Sequence, residues 1–241
     1  MKKVLSLVLT LVMLFSLFIN TSAVGERSAP LTNPLVRIVE TNGVRTATVS
    51  NETSTYTVTL DTLNNTICVS VTDHKTGAVT FGTTMSTIIS PMATRGVSST
   101  IHQDTYSNYE YDIYLGNPRE WNLERPKDDG NGQYYFKVYE NSSNEDELDV
   151  WFDAVNELND QEIDAICDYG AALILAAIAG FLSGMSVASG GILTPTAVAA
   201  VIAAVGATGA AAVSIAQIAT CCNECRLAID DVYYATDNMH F

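Results

Sequence analysis

Residues 169–223 read YGAALILAAIAGFLSGMSVASGGILTPTAVAAVIAAVGATGAAAVSIAQIATCCN, a run of 55 positions without a charged side chain. A helix that is apolar on all sides belongs either in a protein core or in a bilayer. This run therefore decides how the second half of the chain is built. It divides at Ser189-Gly190-Gly191-Ile192-Leu193-Thr194-Pro195, where Gly190 and Gly191 permit a reversal, Thr194 suits an N-cap and Pro195 suits a first helical turn. The reading is a hydrophobic helical hairpin over 169–223, with arms of 21 and 25 residues at 169–189 and 196–220. At 1.5 Å per residue each arm reaches roughly 30 Å or more, the depth of a bilayer's hydrocarbon region.

Small residues recur within the arms, at Gly180 and Gly184 and again at Gly206, Gly209 and Ala210. Such spacing lets helix backbones approach closely in lipid. Three states suit the hairpin: inserted throughout, buried throughout as a core element, or sheltered in a folded protein and released into a membrane later. The arms are diluted by Ala, Gly, Ser and Thr, and no Lys or Arg lies between Val138 and Cys225 to set a topology. Both features favour the third state, in which the four glycines Gly180, Gly184, Gly206 and Gly209 form helix contacts in lipid.

Four cysteines flank the hairpin. Cys167 precedes it and Cys221, Cys222 and Cys225 follow, so an antiparallel hairpin brings them to one end. The expectation is a disulfide from Cys167 to one of the other three, with the pairing unassigned. A thiolate zinc site using Cys222-Asn223-Glu224-Cys225 is the alternative. Cys68, within a strand pattern, reads as a buried free thiol.

At the other end of the chain, Met1-Lys2-Lys3, the apolar residues 4–19 and Thr21-Ser22-Ala23 follow the grammar of a secretory signal peptide over 1–23. Export would place the protein outside the cell, where disulfides are permitted. Two of the twelve basic residues and none of the 27 acidic ones lie in that segment, so the processed chain carries a formal charge of −17. That acidity argues against nucleic acid as a partner and against a simple cationic lytic peptide.

A polar lead-in over 24–34 is followed by Val/Ile/Thr-rich segments of period two at 36–39, 55–59 and 67–71, separated by turn signals such as Asn42-Gly43 and Asp73 to Gly77. Region 35–140 thus reads as a β-rich meander, sandwich-like and suited to surface recognition. Tyr106, Tyr109, Tyr111 and Tyr114 form a tight group, readable either as a binding face for carbohydrate or protein or as strand packing. From Glu145 the period turns helical: Leu148, Trp151, Phe152, Val155 and Leu158 recur at steps of three and four, and acidic residues including Glu157 and Glu162 fill much of the remainder. An acidic amphipathic helix over 145–168 results. Residues 224–241 form a C-terminal tail.

None of His74, His102 and His240 falls in a zinc-helix pattern, and the phosphate-binding loop and the Gly-x-Ser-x-Gly nucleophile turn are absent from the sequence. Asp128-Asp129-Gly130-Asn131 lacks the spacing of a calcium loop and reads as a turn. The expectation is a protein that is not an enzyme and has no cofactor and no assigned metal ligand.

The export signal, the Thr-rich segment over 56–82, the Ala/Gly hairpin over 171–219 and Cys221-Cys222-Asn223-Glu224-Cys225 together resemble the large secreted bacteriocins of the geobacillin-26 type. The hairpin alone is similar to that of the pore-forming colicins, whose all-helical domain the β-rich half departs from. The resemblance implies a released antibacterial protein acting at a target-cell membrane or surface receptor, with an immunity protein and self-association in the membrane as partners. It transfers no functional residues. The combined expectation is an α+β chain in which a β-rich recognition region precedes an α-helical effector with a membrane-inserting hairpin. The alternative is a noncatalytic exported binding or anchored protein.

Overall fold

The computed structural model of the chain describes residues 36–87, 101–128, 132–187 and 189–236. The signal segment and the polar lead-in lie outside the described residues. The fold is α+β, with antiparallel sheets in the first half and helices in the second.

The first sheet is a meander of β1 (Val36–Thr41), β2 (Val44–Ser50), β3 (Ser54–Asp61), β4 (Thr66–Asp73) and β5 (Val79–Phe81), with β6 (Met85–Ser86) also pairing with β4. Asn42 and Gly43 close the first hairpin with φ of 52° and 77°, the left-handed pair that a two-residue turn matched to strand twist requires. Alternation places Ala47, Val49, Tyr56, Val58, Leu60, Ile67 and Val69 on one buried face. Register aligns them across strands, Ala47 opposite Val58 and Val58 opposite Val69.

A second sheet runs β7 (Ile101–Asp104), β8 (Glu110–Tyr114), β9 (Glu120–Pro126) and β10 (Gln133–Tyr139). Four helices follow: α1 (Glu145–Tyr169), α2 (Ala171–Met185), α3 (Pro195–Val205) and α4 (Gly209–Ala235). Helices α2 and α3 cover the first sheet, α1 meets β7 and β8, and α1 packs along α4.

Most of the uncharged run packs into the core, with Gly170 to Ala172 and Thr208 to Ala210 exposed at helix starts. Every residue of α2 from Ala176 to Met185 is buried, against β4 and β6 on one side and α1 and α3 on others. Its all-round apolar composition is what a helix with neighbours on every side needs. The expectation of two membrane-spanning arms is corrected: among the described residues no helix is long and apolar enough to cross a membrane. Helix α2 has 15 residues, about 22 Å at 1.5 Å each, against a hydrocarbon depth of about 30 Å. The second arm is two helices. Gly206 ends α3 at φ 80° with its N–H bonded to Ile202 O, and α4 starts only at Gly209.

The expected disulfide is likewise corrected. All five cysteines are free thiols; Cys167 is exposed on α1, Cys221, Cys222 and Cys225 are buried on α4, and Cys68 is half-buried in β4. Burial pushes the Cys221 thiol up to about 12 and those of Cys222 and Cys225 well above the ordinary range. These three therefore stay protonated and unreactive while folded. A thiol-reagent titration without reductant should show Cys167 reacting at once and the three α4 thiols only after unfolding. Recovery of two fewer thiols than five from the denatured, unreduced chain would contradict this arrangement.

Candidate functional site

The hairpin residues singled out in the sequence go to separate structural tasks. Gly180 lies where α2 crosses α3 and β4: a Cβ there would stand 2.8 Å from Val201 Cγ1 and 3.1 Å from Ile67 Cδ1. At Gly184 the neighbour would be Leu193 Cδ2, at 3.2 Å. Gly206 and Gly209 bound helices, Gly206 against the Arg45 guanidinium and Gly209 in open space. Gly190 and Gly191, at φ 72° and 70°, sit in the short turn Ser189–Gly191, and Pro195 is the first residue of α3, capped by Thr194 through Ala197 N–H at 3.2 Å. No chemistry gathers there.

The tyrosine group divides. Tyr109 and Tyr111 are buried between the second sheet and α1, Tyr109 beside Trp151 and Tyr111 beside Phe152 with ring centroids 6.0 and 5.1 Å apart. These two pack the core. Tyr114 is on the opposite face.

That opposite, outer face of the second sheet collects the polar side chains. Period-two alternation turns Trp121, Leu123, Phe136 and Val138 inward, and turns His102, Asp104, Glu110, Asp112, Tyr114, Glu120, Asn122, Glu124, Tyr135, Lys137 and Tyr139 outward. Register sets them in rows across all four strands. One row is His102, Asp112, Asn122, Lys137; the next is Asp104, Glu110, Glu124, Tyr135. A third, Tyr114, Glu120, Tyr139, completes the face.

Lys137 Nζ bonds Glu120 at 2.6 Å, and His102 is the basic partner of Glu110 and Asp112. His102 Nδ1 stands 3.0 Å from Asp112 Oδ1 and 3.8 Å from Glu110 Oε1. Glu110, Asp112, Asn122 and Glu124 are each at least nine-tenths buried. Burial first, then the Glu124 charge opposite, lifts the Glu110 carboxyl to about 7, against the opposing pull of His102. His102 Nε2 is buried and makes no hydrogen bond. Among the described residues, the His102–Asp112 pair has the orienting half of a catalytic triad, with no hydroxyl or thiol bonded to the other nitrogen.

The sheet is held to the helices by a buried acid. Glu162 of α1, 0% exposed, accepts Tyr106 N–H at 2.7 Å, Ser107 N–H at 3.0 Å and Ser107 Oγ–H at 2.5 Å. Ser107 Oγ in turn lies 3.4 Å from Cys222 Sγ of α4. Desolvation lifts the Glu162 carboxyl to about 7, its hydrogen bonds pulling the other way. One carboxylate thus ties the β7–β8 turn to α1 beside α4.

Sequence reasoning assigned neither feature. His102 falls in no helical zinc pattern, whereas the alternation Glu110-Tyr111-Asp112-Ile113-Tyr114 puts two acids on one strand face. Glu162 was grouped with the polar residues of the acidic helix. The signal was present: 148, 151, 155, 158, 162 and 165 continue one stripe of threes and fours, and all six are buried. No family model, characterised protein or solved structure matches the chain.

Proposed function

We propose that this chain is a noncatalytic exported binding protein whose recognition surface is the outer face of the second sheet. The observation that supports it most is the third row, where Tyr114, Glu120 and Tyr139 lie side by side, with Tyr135 two rows along on the same face beyond Lys137. Tyr135 and Tyr139 are 44% and 52% exposed. Tyrosines offer rigid amphipathic area at low entropic cost. The orphaned His102 Nε2 supports the noncatalytic part of the reading. The formal charge of −17 without the signal segment matches a cationic rather than an anionic partner.

The resemblance to secreted bacteriocins makes the envelope of a target bacterium the first place to look for that partner. In this form of the proposal, growth inhibition follows from binding at the cell surface. Labelled protein should bind intact sensitive cells, and Tyr135→Ser with Tyr139→Ser should weaken binding about tenfold or more. Both side chains are exposed, so the double variant should unfold at the same denaturant concentration as the parent. Unchanged cell binding by the folded double variant would sink the assignment of this face.

A further inference from the structure

Asp104, Glu110, Asp112 and Glu124 stand in two adjacent rows of the second sheet, and three of the four are at least nine-tenths buried. Like charges opposite one another in a sheet repel, and burial strengthens the repulsion. Lys137, which shares a row with Asp112, is engaged by Glu120.

Three donor atoms converge within this group. One ring nitrogen of His102 and one carboxylate oxygen each of Glu110 and Asp112 lie within 4.8 Å of one another, the tightest pair 3.0 Å apart. Two ligands at about 2.0–2.2 Å from a common ion stand about 3–3.5 Å apart, so a small side-chain adjustment completes the set. Asn122 adds an independent observation. It is 9% exposed and directly opposite Asp112, and its Oδ1 is buried without a hydrogen bond while its side chain bonds Tyr114. An acceptor in that position, among other acceptors, is satisfied by a cation.

We propose that His102, Glu110 and Asp112, with Asn122 Oδ1 as a fourth donor, form a binding site for a divalent transition-metal cation. An imidazole combined with carboxylates suits Zn²⁺, Co²⁺ or Mn²⁺ better than the all-oxygen sets that calcium takes. The ion joins β7 to β8 and β9 and neutralises the two central rows. This inference stands apart from the recognition reading, since it needs only the cluster and no partner.

The test is a titration of the metal-stripped full chain with Co²⁺ and then Zn²⁺, followed by calorimetry and visible absorption. One equivalent should bind, with a cobalt d–d band and no thiolate charge-transfer band, because the α4 thiols take no part. Asp112→Asn and Glu110→Gln, close in shape to the parent residues, should each lower affinity tenfold or more. Asp146→Asn, exposed on α1 and away from this face, should leave it unchanged. Absence of saturable binding, a thiolate band, full affinity in both Asp112→Asn and Glu110→Gln, or equal weakening by Asp146→Asn would each overturn the site.

Discussion

Glu162→Ala is expected to cost about 3–5 kcal/mol of folding stability, measured by urea unfolding. The variant strands Tyr106 N–H, Ser107 N–H and the Ser107 hydroxyl, which all converge on this carboxylate. It also leaves a cavity where α1 meets the β7–β8 turn. Set against a typical domain stability of about 5–15 kcal/mol, this is a large share. Solvent cannot replace the lost acceptor, because Glu162 and Ser107 are both 0% exposed. An unfolding midpoint within error of the parent would show that the turn finds other acceptors.

The same residue sets a pH dependence. Its carboxyl is raised from the ordinary 4.5 to about 7, so the folded chain holds a proton that the unfolded chain has released. The stabilisation from that proton is fully present below about pH 4.5 and is lost as pH rises to about 7. Glu162→Gln keeps one acceptor oxygen and cannot ionise. Its stability should therefore fall less than the parent's between pH 5 and pH 8. Parallel profiles for parent and variant would mean that Glu162 does not titrate in this window.

Gly180→Leu is expected to abolish cooperative folding or to lower stability by about 3 kcal/mol or more, and Gly180→Ala by about 1–3 kcal/mol. Even the first carbon meets Val201 Cγ1 at 2.8 Å and Ile67 Cδ1 at 3.1 Å, branched side chains held between α3 and β4. Gly184→Ala should be milder, since its neighbour at 3.2 Å is the end of the Leu193 side chain. The graded series distinguishes the two uses of small residues. A core contact predicts loss of stability in solution in the order Gly180→Leu, Gly180→Ala, Gly184→Ala, measured without any membrane. Equal stability across the series would remove these glycines from the core.

Much of the architecture was legible because it depends on local pattern. Strands announced themselves by period two and by turns such as Asn42-Gly43, whose left-handed φ values only a few residue types accept. The acidic helix was legible from Leu148, Trp151, Val155 and Leu158, all 0% exposed. The disulfide failed for a spatial reason. Flanking a hairpin puts Cys167 and the three later cysteines near one end in chain order, but the second arm breaks at Gly206 and α4 turns its thiols into the core while Cys167 faces solvent. The second membrane arm failed through the same break, and the first because α2 ends at Met185 after 15 residues.

The sequence by itself determined that the first half would be strands, the second half helices, and that residues 169–223 had to leave water. Those outcomes follow from hydrophobic periodicity and from the cost of exposing an uncharged apolar run. Only the tertiary structure decided what covers that run. A bilayer and a protein core impose the same requirement for an apolar surface on every side, and the choice falls to the first sheet, α1 and α3, which enclose α2. The outer-face cluster was likewise invisible along the chain. His102, Glu110, Asp112, Asn122 and Glu124 are brought into two rows by strand register, a relation between strands that no single stretch of sequence contains.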